Sequence, residues 1–180
     1  IYHGLPRDLL AFSPAPRNGY LAFLGRISPE KRPDRAIEIA VRTGMYLKIA
    51  AKIDRVDRPY WEEKIEPLLK VHRNIEYIGE ITDRQKAEFL GGASALLFPI
   101  DWEGPFGLVM IEAMACGTPV IAFRRGSVPE VMDHGVTGFV VDTVDEAVLA
   151  VERISTLSRA KVRAVFDERF TVQRMARDYV

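Results

Sequence analysis

The most informative stretch of the sequence for chemistry is a short apolar segment that contains one acid. Between Phe106 and Cys116 almost every side chain is apolar or small, and Glu112 is the only charged residue. This pattern predicts a buried helix that begins near Phe106 and ends at Gly117, because a helix apolar on all sides packs on both faces. A buried carboxylate needs hydrogen-bond donors. Glu112 is therefore either paired within the protein or faces a cleft, where it would hold the hydroxyls of a ligand.

The loop before this predicted helix contains glycines that suit an anionic ligand. Gly104 and Gly107 allow the backbone to approach a ligand closely. At the start of a helix, free N–H groups and the helix dipole favour negative charge. A ligand that carries both a diol and phosphates would use this loop together with Glu112.

A second candidate for phosphate binding lies earlier in the chain. Gly25-Arg26 and Glu30-Lys31 follow the apolar run 20–24, which is typical of a buried strand. Arginine suits bidentate contact with phosphate, and lysine serves as a compact point charge. From spacing alone a solvated basic loop is the simpler interpretation, so both interpretations stay open at this point.

Strands and helices alternate along the chain and would position these residues. The predicted strands lie at 20–24, 45–51, 75–78, 95–98, 118–123 and 135–141, and the predicted helices at 34–43, 58–72, 83–90, 106–116, 145–157 and 158–170. This order predicts one α/β domain over residues 1–180, with a Rossmann-like parallel sheet flanked by helices. The glycines do not form G-x-G-x-x-G, so the dinucleotide fingerprint is absent.

Composition and charge exclude several classes of protein. Lys and Arg total 25 and Asp and Glu total 25, which speaks against a nucleic-acid partner. Cys116 is the single cysteine and cannot form an internal disulfide. Together with the absence of a signal-peptide pattern, this favours a cytoplasmic location. His3, His72 and His134 are scattered, so no metal site is predicted.

Two runs in this chain resemble a known family. Residues 104–108 (GPFGL) and 112–122 (EAMACGTPVIA) resemble the retaining glycosyltransferases of family 4 (group 1), which have the two-domain GT-B fold. Gly25-Arg26 with Glu30-Lys31, and the run 126–130 (GSVPE), match the same family. Nearly the whole chain is identified as similar to the C-terminal, donor-binding half of such an enzyme.

One departure from the family pattern concerns the donor sugar. The family signature is a Glu, seven residues and a second Glu, and Glu112 matches the second. Gly104 stands at the first position, and Glu103 lies one residue too early. Glu103 could serve the sugar only if the backbone near Gly104 changes course, which glycine permits and Pro105 limits.

The resemblance assigns roles to residues of this chain. Arg26 and Lys31 would hold the donor diphosphate and neutralise its charge as it leaves, and Glu112 would accept hydrogen bonds from the ribose hydroxyls. Arg32 stands where the family often has Gly and receives no role. This chemistry requires no metal or cofactor. The other expected nucleotide contacts are mostly backbone groups of Gly25, Gly79, Glu80, Ile81, Gly104, Phe106, Gly107 and Leu108.

The implied function is binding of a nucleotide diphosphate sugar for hexosyl transfer to an acceptor with retention. A UDP-sugar is favoured as donor, with GDP- and ADP-sugars as alternatives. An N-terminal domain of similar size would precede this chain, carry most of the acceptor site and mediate any peripheral membrane association. Two other functions stay open: a sugar-nucleotide epimerase of the same fold, and a catalytically weakened homologue that acts as a binding subunit.

Overall fold

A computed structural model describes residues 4–103, 107–173 and 176 of the chain. Its centre is a parallel sheet with the strand order β3-β2-β1-β4-β5-β6. The strands are β1 (Tyr20–Arg26), β2 (Leu47–Lys52), β3 (Ile75–Gly79), β4 (Ala93–Phe98), β5 (Val120–Phe123) and β6 (Gly138–Val141). The alternation of strands and helices thus produces the predicted Rossmann-like α/β fold.

Helices connect the strands and cover the sheet. They are α1 (Pro33–Thr43), α2 (Arg58–Tyr60), α3 (Glu66–Val71), α4 (Asp83–Gly91), α5 (Leu108–Ala115), α6 (Val128–Val131), α7 (Val144–Arg153) and α8 (Arg159–Arg169), with 3₁₀ turns at Pro29–Lys31, Arg55–Asp57 and Ile154–Thr156. Within the described ranges, no helix combines the length and the apolar character that crossing a membrane requires.

The central strands β1, β4 and β5 are largely apolar because both faces of the sheet are covered. In β1, Tyr20 and Ala22 pack into a core shared with α4, α5 and α8. Leu21 and Phe23 point to the opposite face and pack into a core shared with α1 and α7. Successive side chains of a strand alternate between the two faces of the sheet, so one apolar run contributes side chains to both cores. This explains why the predicted buried strands read as continuous apolar runs.

Some predicted boundaries differ from the observed ones. The buried helix that contains Glu112 was expected to begin near Phe106, whereas α5 begins at Leu108. Residues 104–106 lie outside the described part. The helical segment after β2 contains a π-helical stretch, Trp61–Ile65, directly before Glu66 and Pro67. Proline cannot donate the usual helical hydrogen bond, and the widened π-helical turn lies directly before it, so the predicted helix 58–72 is not regular throughout.

The strand order determines where a ligand can bind. Strand β1 lies between β2 and β4, so the connections leave it in opposite directions. At such a switch point a crevice forms outside the carboxyl ends of the two central strands. Here those ends are Arg26 of β1 and Phe98 of β4. Both segments predicted to bind phosphate follow one of these strand ends.

Candidate functional site

A cavity of about 220 Å³ occupies the crevice between the ends of β1 and β4. We call it the Lys31 cavity; its lining includes Gly25, Lys31, Trp102, Gly107 and Leu108. A bulkier residue in place of Gly107 would force the Phe98 ring to shift, because an added Cβ would lie 2.8 Å from its Cζ. The structure thus places the basic turn after β1 and the start of α5 at one cavity.

Lys31 is a half-buried cation in this cavity. Burial lowers the pKa of its ammonium group, and the nearby charge of Arg26 lowers it further. The Nζ atom lies 6.0 Å from the centre of the Trp102 ring, at the outer limit of a cation–π contact. In the described ranges no carboxylate oxygen lies within 4.0 Å of Nζ. An anion entering the cavity would therefore meet a half-buried ammonium group that feels the charge of Glu30 but forms no ion pair with a described carboxylate.

Arg26, the other predicted diphosphate ligand, is engaged by acids. Its Nη2 donates to Glu30 Oε1 at 3.3 Å, Nη1 lies 3.7 Å from Asp54 Oδ2, and Nε lies 3.5 Å from Asp57 Oδ2. Each guanidinium nitrogen thus faces a carboxylate. Arg26 directly follows Gly25, which lines the Lys31 cavity. To bind a phosphate there, its side chain would have to give up at least one of these carboxylates.

Arg32, which had no predicted role, ties the basic turn to the loop after β4. It is the only described non-glycine residue with positive φ, at 54°. Its guanidinium donates to both carboxylate oxygens of Asp34 at 3.0 Å and to Asp101 at 3.4 Å. The left-handed backbone costs about 1–2 kcal/mol. These charged hydrogen bonds offset that cost and fix the turn that holds Lys31.

A second cavity of about 310 Å³ lies beside the first and contains Glu112. We call it the Glu112 cavity; Lys52, Glu80, Ile81 and Lys86 also line it. Of the predicted base-contacting residues, Glu80 and Ile81 are thus in the lining, and Gly79 ends β3 next to them with φ of 82°. Gly104 and Phe106, predicted as contacts, lie outside the described residues.

Lys86 is a residue of the site that the sequence did not indicate. Its Nζ donates to Glu112 Oε2 at 3.0 Å, and the Glu112 side chain is only 12% exposed. Burial lowers the pKa of Lys86, but hydrogen bonds to Glu112 and Asp83 outweigh that effect, so the pKa is raised. Lys86 and Glu112 are 26 residues apart. No local pattern could therefore reveal the pair.

Glu103 does not line either cavity. Its Oε2 accepts a hydrogen bond from the Gly126 N–H at 2.9 Å, and Oε1 lies 3.8 Å from Arg125. The side chain is 71% exposed. Its carboxylate is directed to the loop after β5, and its predicted role toward the donor sugar stays a prediction.

Other reactive groups offer no alternative chemistry in the described part of the chain. Cys116 is buried at the end of α5, and burial raises the pKa of its thiol to about 12, which disfavours the nucleophilic thiolate. No cluster of three or more His, Cys, Asp or Glu residues in the described ranges could hold a metal ion. The two neighbouring cavities are the candidate site because they contain the predicted residues Lys31 and Glu112.

Solved structures share this architecture. Anabaena HepE, determined in complex with UDP and glucose, matches with a TM-score of 0.86 at 20% sequence identity, over 99% of this chain and 56% of that protein. AviGT4, a glycosyltransferase involved in avilamycin A biosynthesis, matches with a TM-score of 0.77 at 25% identity, over 91% of this chain and 50% of that protein. These likenesses confirm the predicted fold class, the Rossmann-like half of a GT-B structure.

Sequence relatives point the same way. D-inositol 3-phosphate glycosyltransferase of Streptomyces scabiei is 31% identical over 82% of this chain, which corresponds to 33% of that protein. Alpha-maltose-1-phosphate synthase of Mycolicibacterium smegmatis is 30% identical over 67% of this chain and 32% of its own length. The chain thus spans about a third of the curated relatives it matches. The model of the family "Glycosyl transferases group 1" matches residues 12–170. The chain therefore belongs to the group 1 glycosyl transferases.

Proposed function

We propose that this chain binds a nucleotide diphosphate sugar, with a UDP-sugar favoured, and presents it for transfer to an acceptor with retention. One observation carries the proposal: Leu24, Gly25 and Val109 line both cavities, so the two adjoin each other and together are called the cleft. One end holds the carboxylate of Glu112 and the other the ammonium of Lys31. A ligand with a diol at one end and a diphosphate at the other fits this order of groups.

Lys31 would supply the main electrostatic contribution to transfer. As the bond between the sugar and the diphosphate oxygen breaks, negative charge grows on the leaving diphosphate. A desolvated cation and the free N–H groups at the start of α5 would stabilise that charge, and both are in place before the reaction. Arg26 would add to this stabilisation once a phosphate has replaced one of its carboxylates.

The donor preference can be tested by calorimetry on this chain. We expect UDP to bind more tightly than uridine, because only UDP reaches the Lys31 cavity, and more tightly than GDP or ADP. The UDP affinity should fall with rising salt, since its diphosphate contacts are charged. Equal affinities for UDP and uridine would contradict the proposed placement of the diphosphate. A preference for GDP or ADP would change only the proposed base of the donor and would leave the placement of its diphosphate unchanged.

The complete enzyme is proposed to contain a second, acceptor-side domain. Support comes from the coverage, since relatives are about three times as long as the matched region. Closure of two domains assembles a site and excludes water. We therefore expect this chain alone to bind UDP but to transfer little or no sugar. Robust glycosylation of an acceptor by these 180 residues would contradict the two-domain proposal.

A catalytically weakened binding subunit is the second candidate function. It is favoured by Glu103, whose carboxylate is held by the Gly126 N–H and does not line the cleft. Initial rates of transfer by the complete enzyme separate the candidates. If the role of the first signature Glu is vacant, Gly104→Glu should raise the rate. A complete protein that binds UDP-sugars but neither transfers nor epimerises the sugar would be a binding subunit.

A further inference from the structure

Lys86 on α4 is the nearest described cation to Glu112, and neither the family pattern nor the sequence assigns it a role. We propose that Lys86 is a positioning residue for the nucleoside: it holds Oε2 of Glu112 so that Oε1 is presented to the ribose hydroxyls. This inference rests on the proposed function. It predicts that the ribose contact depends on a pair of residues, one on α4 and one on α5.

The position of the Glu112 carboxylate depends on this contact. Within the described part of the chain, Lys86 is the only side chain that donates a hydrogen bond to Glu112, at 3.0 Å. The Glu112 side chain is 12% exposed and lies on a helix of otherwise apolar residues. A carboxylate so far removed from water needs a fixed donor. Without Lys86 it would turn toward solvent or toward another donor.

Lys86 is itself held in place from two sides. Its Nζ lies 3.3 Å from Asp83 Oδ1, one turn earlier on α4, in addition to its bond to Glu112. The start of α4 is fixed because the Thr82 N–H donates to the Gln85 side chain at 2.8 Å. The ammonium group is therefore placed by one residue of its own helix and one of the facing helix. This limits the positions that Glu112 can adopt.

The other cation of the Glu112 cavity does not share this role. Lys52 also lines the cavity, but its Nζ pairs with Asp54 at 3.4 Å and makes no ion pair with Glu112 among the described residues. Removing Lys52 or Lys86 takes the same charge from the same cavity. Only the second change also releases the Glu112 carboxylate. Lys52→Met is thus a charge-matched control for Lys86→Met.

A purely structural role for the pair, joining α4 to α5, makes a different prediction. Phe89 and Leu90 of α4 already pack into one core with Met110 and Met114 of α5. The helix contact therefore does not depend on the ion pair. A structural role would change the melting temperature without changing nucleoside affinity, whereas a positioning role changes the affinity.

The experiment is a double-mutant cycle read by calorimetry with UDP and by an NMR titration with uridine. We expect Lys86→Met to weaken both ligands by the same factor, roughly tenfold, as for loss of a charge-assisted contact. Lys86→Arg should recover part of the affinity. In a Glu112→Gln background, Lys86→Met should cause little further loss. Lys52→Met should cost less than Lys86→Met. If Lys86→Met does not fold, Lys86→Gln takes its place.

The outcomes separate this inference from the proposed function. Unchanged or tighter binding in Lys86→Met, or an equal loss in the Glu112→Gln background, would overturn the positioning role while UDP binding by the unchanged chain still supports the proposed function. A loss for UDP but not for uridine would also overturn it, because the effect would then lie at the diphosphate. If the unchanged chain binds neither UDP nor uridine, both proposals fail.

Discussion

The two edges of the sheet hold their buried cations in different ways. At the amino edge of β4, Arg159 donates to the carbonyls of Ser13, Gly91 and Ala93 at 2.9–3.0 Å and to the Thr118 hydroxyl at 3.0 Å. At the carboxyl edge of β1, Lys31 has no carboxylate within 4.0 Å among the described residues. Arg159 thus makes four hydrogen bonds within the protein, whereas the ammonium group of Lys31 is left available.

The unsatisfied polar groups are concentrated at the carboxyl edge. In the described ranges, two buried side-chain oxygens lack a hydrogen-bond partner: Ser28 Oγ, just after β1, and Asp57 Oδ2, just after β2. Buried polar groups are usually satisfied. Asp57 Oδ2 nevertheless lies 3.5 Å from Arg26 Nε, so it has an ion-pair partner although it lacks a hydrogen bond.

The largest expected effect tests the amino edge. Arg159→Met would leave several buried acceptors without a donor, at about 1–3 kcal/mol each, so we expect a loss of at least about 3 kcal/mol in the free energy of unfolding. Arg42→Met, which breaks the exposed pair with Asp145, should cost less than about 1 kcal/mol. Chemical denaturation measures both. Equal losses for the two variants would remove the contrast between the edges.

The next effect tests the carboxyl edge. Lys31→Met should weaken UDP binding by about 1.5–3 kcal/mol and leave uridine binding unchanged, because a charge-assisted contact with the diphosphate is lost. The exposed residue Lys161 provides the control variant Lys161→Met. Calorimetry checks both ligands. If uridine affinity fell equally, Lys31 would have a structural role.

The lowered pKa of Lys31 also fixes the sign of its effect on stability. Burial disfavours the charged form in the fold, so this group destabilises the free chain at pH values below its folded pKa. That destabilisation is relieved as the pH rises through the folded pKa toward the unfolded one. Lys31→Met should therefore raise the melting temperature slightly at neutral pH, although it abolishes part of the ligand binding.

A smaller effect concerns the carboxylates around Arg26. If they compete with the diphosphate, Asp54→Asn should strengthen UDP binding roughly two- to fivefold, in line with a partly exposed ion pair. The gain should disappear in an Arg26→Ala background. A gain that persists there would indicate the loss of a nearby negative charge or the release of Lys52, which also pairs with Asp54. Asp142→Asn, which breaks the exposed pair with Arg124, is the control.

The smallest effect is expected for Glu103. Its exposed carboxylate contacts the Gly126 N–H and not the cleft, so Glu103→Gln should change UDP affinity by less than about 0.5 kcal/mol. Glu112→Gln, measured alongside, should weaken UDP and uridine equally. A large loss of UDP affinity in Glu103→Gln would indicate that this carboxylate contacts the nucleotide. The binding site would then extend toward β5.

The sequence by itself predicted the fold class and the glycine-bearing turns that line the cleft. Continuous apolar runs predict strands buried on both faces, as in β1 and β4, and their alternation with helices predicts a parallel sheet. The sequence also contains glycine-bearing turns after Leu24 and before Leu108, which the observed strand order then brings together. These are local patterns with one dominant physical cause, the burial of apolar surface.

Only the tertiary structure decided which charges face each other in the cleft. Lys86 reaches Glu112 across 26 residues, and Arg26 meets Asp54 and Asp57 because β2 happens to pair with β1. Such contacts depend on strand order and helix placement, which local periodicity does not encode. The burial of apolar surface determines how the strands and helices pack. The charged side chains then form ion pairs with the charged groups that this packing brings near them. The division between an available Lys31 and an engaged Arg26 follows from that placement.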